Sequence, residues 1–203
     1  MTPIRVETVP LPPPDIREIR RYARCPEGAD EALDGCLREL TPGIVGRAAW
    51  RICDVAETDA GFDLGFAVTD SADLIRSLSG CDRVLLFAAT VGFAPDRLIR
   101  RYAHLSPAKA LWMQAIGTER VETLCDVFCT ERGAELAADG CTLRPRFSPG
   151  YGDLPLGMQR DVFASLDCER QLGVTLNDSL LMMPSKSVTA LAGIARVGKE
   201  KRS

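Results

Sequence analysis

The 203-residue sequence has one histidine, few aromatic residues (6%) and no C-x-x-C pair among its eight cysteines. Each scarcity excludes a class of chemistry. A single histidine, His104, rules out multi-histidine metal sites and argues against a Ser–His–Asp triad. Cys25, Cys36, Cys53, Cys81, Cys125, Cys129, Cys141 and Cys168 lie far apart, against a zinc knuckle or a thioredoxin-type site. There is no phosphate-binding loop, because Gly198-Lys199 lacks the earlier glycine and the following helix. No G-x-S-x-G elbow is present, and no G-x-G-x-G strand–loop–helix supports a free-standing nucleotide-binding methyltransferase. The formal net charge is only -3, with 25 basic and 28 acidic residues of alternating sign, so no basic face for nucleic acid is expected. No stretch approaches the roughly 18 consecutive apolar residues of a membrane span. Met1 to Pro14 lacks the apolar core of a signal peptide, so the expected location is cytoplasmic. In that reducing compartment the cysteines read as small buried hydrophobes with inert thiols.

What is present is an ordinary globular composition, 46% hydrophobic and 26% charged. The expectation is one structural domain, with residues 1–45 as an N-terminal extension carrying two short helices and residues 46–203 as the body. Val9 to Pro14 reads as extended and polyproline-like. Asp15 can cap a helix over Ile16 to Arg24, Pro26 and Gly28 break it, and a second helix covers Ala29 to Leu40. Ala48–Val55 and Phe62–Thr69 alternate at period two around a turn at Asp59-Ala60-Gly61, which predicts one antiparallel hairpin. A short helix begins at Asp70 or Ser71. Val84 to Ala89 is continuously apolar, as in a strand buried on both faces.

After a helix over Pro95 to His104, Ser106-Pro107 marks a strong helix start. That helix should run to Ala138, with Gly117 its one interior blemish and Leu111, Ile116, Val121, Leu124, Cys125, Phe128 and Leu136 on its apolar side. A strand over Thr142–Phe147, a helix over Gln159–Leu166, a strand over Gly173–Leu176 and a final strand over Ser187–Val197 follow. Gly198 to Ser203 should fray. The sum is an α+β domain: an antiparallel twisted sheet with flanking helices.

Three features bear on chemistry. Cys125 and Cys129 sit four apart on the long helix, but no third ligand is near and position 132 is Arg, so neither a metal nor a redox role is expected. Glu119, Glu122 and Asp126 form an acidic row, either a solvated face or carboxylates set against a cationic ligand. In Arg146-Phe147-Ser148-Pro149-Gly150-Tyr151, proline and glycine turn the backbone so that main-chain groups can point into one concavity. An arginine fork suits a carboxylate, and a tyrosine adds a flat apolar face with a hydroxyl. The segment is either an ordinary strand-to-loop corner or a site for a small zwitterionic or heteroaromatic ligand.

Arg146 to Tyr151 resembles the R-x-x-x-G-Y adenosylmethionine-binding signature of the activation domain of cobalamin-dependent (vitamin B12-dependent) methionine synthase. Leu176-Asn177-Asp178-Ser179, Met183-Pro184 and Ser187-Val188-Thr189 are similar to that family's L-T-E-S…M-x-P…S-V-S block. Ala115 to Glu122 resembles the long helix of its short members. The resemblance spans about Leu111 to Ile194. It implies that S-adenosylmethionine binds with Arg146 on the methionyl carboxylate and Ser148 and Gly150 offering main-chain groups. It further implies that Pro149 shapes the turn, Tyr151 lines the pocket, and Glu122 supplies a nearby carboxylate. It implies no catalytic side chain and no resident metal, since the sulfonium methyl is already reactive and needs only positioning. The family's N-terminal D-W-T aspartate has no counterpart around Arg20 to Cys25, and the D-x-H-x-x-G cobalamin signature is missing. The implied cobalamin is therefore carried by a partner, a methionine synthase lacking its own activation domain, with a flavodoxin-type reductant. A partnership with another corrinoid methyltransferase, or a non-catalytic small-ligand module, remains open at this point.

Overall fold

The computed structural model describes residues 1–25, 30–59 and 61–197. The expected helix breakers Pro26 and Gly28, the turn residue Ala60 and the tail Gly198–Ser203 lie outside the described residues.

The chain opens with strand β1 (Arg5–Thr8) and, after the proline-rich segment, helix α1 (Ile16–Ala23). Asp15 starts α1 because its carboxylate accepts the orphan amides of Arg17 and Glu18 at 2.8 and 3.3 Å. Helix α2 (Asp30–Leu40) ends in a single 3₁₀ turn at Thr41–Gly43. Then come β2 (Arg47–Asp54), β3 (Ala56–Thr58), β4 (Gly61–Asp63), β5 (Val68–Thr69), α3 (Ala72–Ser77) and β6 (Cys81–Thr90). Helices α4 (Ala94–Leu105) and α5 (Pro107–Ala138) follow, then β7 (Cys141–Phe147), α6 (Gln159–Leu166), α7 (Cys168–Leu172), β8 (Thr175–Leu176), β9 (Met182–Met183) and β10 (Ser187–Arg196). Ser106 precedes α5 as expected, in extended conformation, but its side chain makes no capping bond.

The central sheet runs β1-β2-β6-β10-β7, antiparallel throughout, so the fold is α+β as the patterning implied. The apolar run in β6 is explained by layers on both faces. Leu85, Phe87 and Ala89 pack toward the second half of α5, against Leu124, Cys125 and Phe128. Val84, Leu86 and Ala88 pack the other way, against Leu74 of α3 and Leu78 just beyond it, Val162 and Leu166 of α6 and Leu172 of α7. A third cluster joins Ile19 and Ala23 of α1 and Leu33, Cys36 and Leu40 of α2 to Ala94 and to Trp112, Met113 and Ile116 of α5. The 32-residue α5 therefore serves two cores along its length. That is why no single stripe describes it: Leu111, expected on the apolar side, is 48% exposed, and Trp112 and Met113 turn inward in its place. Gly117 has a packing reason, because a Cβ there would meet Pro95 Cβ at 3.0 Å and the Lys186 side chain at 3.1 Å.

The expected hairpin is corrected. β2 pairs with β1 on one edge and β6 on the other, Trp50 opposite Arg5 and Phe87, so it has no edge left for the Phe62–Thr69 run. That run breaks at Gly65, which takes φ +76° and donates its amide to Asp63 Oδ1 at 2.7 Å. Its two pieces, β4 and β5, form a separate small sheet with β3. β1 was missed because Arg-Val-Glu-Thr has a single apolar residue; pairing with β2 alone makes it a strand.

One polar cluster ties these layers together. Glu119 and Arg120, neighbours on α5, are both almost fully buried and paired to each other. Arg120 Nη1 donates to the Pro12 carbonyl at 2.6 Å, while Glu119 Oε1 accepts from the Asp15 amide at 3.1 Å and Thr123 Oγ1 at 2.8 Å. Glu119 is thus no part of a solvated acidic face. Replacing Arg120 by Met leaves a buried carboxylate without its counter-charge. The expected loss is about 3–5 kcal/mol of unfolding free energy, read from urea denaturation.

Candidate functional site

The site forms where β7 leaves the sheet. β10 extends from Ser187 to Arg196, but β7 pairs with it only from Leu191 opposite Phe147 onward. The chain then turns away through Ser148–Leu154, and Ser187, Val188 and Thr189 line an open cleft of about 390 Å³. This lies in the usual range for small-ligand sites, roughly 300–1,000 Å³. Its other walls are Glu122 from α5, Arg146 and Phe147 at the end of β7, Ser148, Pro149 and Tyr151 of the loop, Gln159 at the start of α6, and Met182 of β9.

The loop is rigidified from within. The Tyr151 amide donates to the Ser148 carbonyl at 3.1 Å, the Gly150 amide to Leu154 at 2.9 Å, and the Leu154 amide to Tyr151 at 3.0 Å. Gly150 permits the turn by taking φ +90°. The far side of the loop is fastened to α3. Asp153 accepts the Ser71 hydroxyl and the Ala72 and Asp73 amides, the latter two at 2.7 and 3.2 Å, capping that helix from a distant part of the chain. Gly152 must be small here, since a Cβ would fall 2.3 Å from Asp73 Oδ2.

Of the residues expected from the sequence, Arg146, Ser148, Pro149, Tyr151 and Glu122 line one cleft. Gly150 does not line it; its amide is held by Leu154, and its part is conformational. Tyr151 stands at the rim, 69% exposed. Arg146 Nη2 donates to Glu122 Oε2 at 2.7 Å and to Asp126 Oδ1 at 3.1 Å. Burial disfavours the guanidinium charge, yet Cys125 and the Glu122 and Asp126 carboxylates beside it keep its pKa raised. Both bonds leave from one nitrogen, so the Nε–Nη1 edge of the fork is not used by these carboxylates. One guanidinium against two carboxylates leaves one negative charge in excess, a setting suited to a cation that also carries a carboxylate. Of the acidic row only Glu122 is in the cleft walls: Glu119 belongs to the buried clamp, and Asp126 meets Arg146 from outside those walls.

Sequence reasoning missed Asp126 as a partner of Arg146, and it singled out neither Gln159 nor Thr189 as a site residue. Gln159 and Thr189 are 6% and 2% exposed, and Gln159 Oε1 and Thr189 Oγ1 have no hydrogen-bond partner among the described residues. Thr189 lay inside the S-V-T block, which could have drawn notice. Gln159 carried no signal beyond starting a helix.

Cys125, Cys129 and Cys168 are unreactive by environment. Burial pushes the Cys125 and Cys168 thiols up to about 12 and that of Cys129 to about 11, so all three stay protonated at neutral pH. Cys36, Cys53, Cys81, Cys125, Cys129, Cys141 and Cys168 are free thiols, and no group of metal-ligating side chains occurs among the described residues. No helix among the described residues is long and apolar enough to cross a membrane.

No protein-family model matches the sequence, and no curated protein matches it. Among solved structures the chain is similar to a crystal structure of the MetH reactivation domain bound to AdoHcy, with a TM-score of 0.67 and 14% sequence identity. The match covers 99% of this chain and 81% of that one. The likeness is one of fold, a helix-flanked antiparallel α+β architecture that extends over nearly the whole chain.

The cap that holds the loop titrates. Hydrogen bonds from Ser71 and the α3 amides lower the Asp153 carboxyl below its ordinary value of 3.8. Its contribution to stability is complete above that value and is lost as pH falls through the lower folded-state value. Asp153→Asn is therefore expected to melt below the wild type at pH 7, with the two melting temperatures converging in acid, as followed by circular dichroism.

Proposed function

We propose that the chain binds S-adenosylmethionine in the cleft at the end of β7 and supports reductive remethylation of cob(II)alamin on a separate cobalamin-dependent methionine synthase. The observation that carries this reading is the Arg146–Glu122–Asp126 cluster, set beside the Ser148–Tyr151 turn on the fold of a reactivation domain. S-adenosylmethionine has a carboxylate, an ammonium and a sulfonium. The unused edge of Arg146 takes the carboxylate, and Glu122 and Asp126 supply the negative charge that the two cationic groups require. This also answers the missing D-W-T aspartate, because Glu122 and Asp126 provide carboxylates for the amino group from α5.

The chain's own residues act by position. Arg146 and its carboxylates hold one end of the ligand, Phe147, Pro149 and Met182 give apolar surface for its flat part, and Tyr151 stands at the rim where the ligand leaves the protein. The cleft is open on that side, as a site must be if its methyl group is to reach an acceptor held on another protein. Cobalamin held by the partner would supply the methyl acceptor, with one electron from a flavodoxin-type reductant balancing its starting cob(II) state and S-adenosylhomocysteine as the leaving product. No proton transfer is needed, which fits a cleft without a histidine or a thiolate.

The partner is a methionine synthase lacking its own activation domain; the alternative partner is another corrinoid methyltransferase, and the alternative role a small-ligand-binding module. Calorimetric titration should show S-adenosylmethionine binding, weakened by about 1.5–3 kcal/mol in Arg146→Ala through loss of charge-assisted hydrogen bonds. Added to inactive cob(II)alamin enzyme with reductant and S-adenosylmethionine, the wild-type chain should restore methionine formation and Arg146→Ala should not. Equal recovery without the chain would remove the methionine synthase role.

A further inference from the structure

We propose that Lys186 is a positioning residue, a clasp whose ammonium bond to Thr118 on α5 sets the β9–β10 segment as one wall of the cleft; its effect on ligand binding rests on the reading that the cleft takes S-adenosylmethionine. In sequence Lys186 stands between two pieces of that wall, Met182 of β9 and Ser187, Val188 and Thr189 of β10. It is only 6% exposed, and its Nζ donates to Thr118 Oγ1 at 3.0 Å. The Thr118 hydroxyl gives its own proton to the Gln114 carbonyl at 2.9 Å, which leaves its lone pairs for the ammonium. The lysine stem crosses α5 at Gly117, where a Cβ would meet Lys186 Cγ and Cε at 3.1 Å each. One residue earlier, the Ser185 amide donates to the Asp96 carboxylate at 3.1 and 3.2 Å. The segment is thus held to α4 by one contact and to α5 by the other.

Stability alone does not call for a charge in this place. An ammonium has three hydrogens to share, and among the described residues the bond to Thr118 engages one. Burial pushes the Lys186 ammonium below its ordinary pKa of 10.5, outweighing the opposing attraction of Asp96. A methionine stem would fill the Gly117 cradle with no ion to desolvate. What methionine cannot supply is a directed bond from the segment to α5. The backbone does not supply it either. The Lys186 carbonyl accepts from the Val91 amide at 3.2 Å and the Ser187 hydroxyl donates to Thr90 Oγ1 at 2.9 Å, so both join the segment to the sheet. Attachment to α5 is left to the lysine side chain. One turn beyond Thr118, the same helix carries Glu122 in the facing wall, so the bond sets the spacing between the two walls.

The test is made on the full chain by urea denaturation, hydrogen exchange of the amides between Met182 and Thr189, and calorimetric titration with S-adenosylhomocysteine. Lys186→Met should unfold at or above the wild-type urea midpoint, yet exchange these amides faster and bind the probe roughly 3- to 10-fold more weakly, in keeping with one lost hydrogen bond. A lysine with a merely structural role would move the midpoint and leave the affinity alone. Thr118→Val should weaken the probe by a similar factor and Thr118→Ser should not. The pair Lys186→Met and Thr118→Val together should weaken it no more than either alone. Unchanged exchange in Lys186→Met overturns the clasp. Faster exchange with unchanged affinity overturns its part in ligand binding while leaving the adenosyl reading intact. Failure of the wild type to bind S-adenosylhomocysteine overturns the adenosyl reading, and the exchange measurement then decides the clasp by itself. Should Lys186→Met fail to fold, the comparison of Thr118→Val with Thr118→Ser decides the same bond from its other end.

Discussion

Everything around the cleft depends on a charge pair that water does not reach. Glu119 and Arg120 face into the junction between α5 and the proline-rich segment, where desolvating two ions would be unfavourable without further partners. The partners come from groups that themselves lack any. Prolines cannot donate, so the carbonyls of Pro12 and Pro13 have no ladder to join, and Arg120 donates to both. The amide of Asp15 precedes α1 and is taken by Glu119. The pair thus fixes where the N-terminal segment enters α1 and how α1 lies along α5. Less than a turn further along α5 stands Glu122, so the same register sets the carboxylates that meet Arg146.

The cleft follows from unequal strand lengths. β10 is ten residues long and β7 seven, and the difference leaves the Ser187–Thr189 portion of β10 beside a loop instead of a strand. Pro149, Gly150 and Gly152 let that loop turn sharply, and Asp153 anchors its far end to α3. A site bordered by a sheet end, a long helix and a pinned loop can hold charged groups in fixed positions while one side stays open. Burial keeps the thiols of Cys125, Cys129 and Cys168 protonated, so these three offer no thiolate to the site.

Local signals read well where they were strong. The Asp15 cap, the Ser106-Pro107 start, the apolar run of β6 and the α6 helix stand where caps and periodicity put them. The Arg146–Tyr151 turn was legible because arginine, proline, glycine and tyrosine each force or invite a particular backbone or contact. The failures share a cause. β1 and the partners of β2 depend on pairing between residues about thirty to forty-five positions apart, and the break at Gly65 is decided by an edge already being occupied. Glu119 and Glu122 look alike in a helical row, yet one accepts from the Asp15 amide and a buried arginine while the other lines a cleft.

The sequence by itself determined the α+β class, most of the elements and the residues of the turn, because short-range capping, periodicity and backbone preference act within a few residues. Only the tertiary structure decided which strands pair, that Arg146 sits between two carboxylates, and that Gln159 and Thr189 have unpartnered oxygens beside one cleft. Burial and hydrogen-bond satisfaction are properties of surroundings, and those surroundings come from parts of the chain that no local pattern connects.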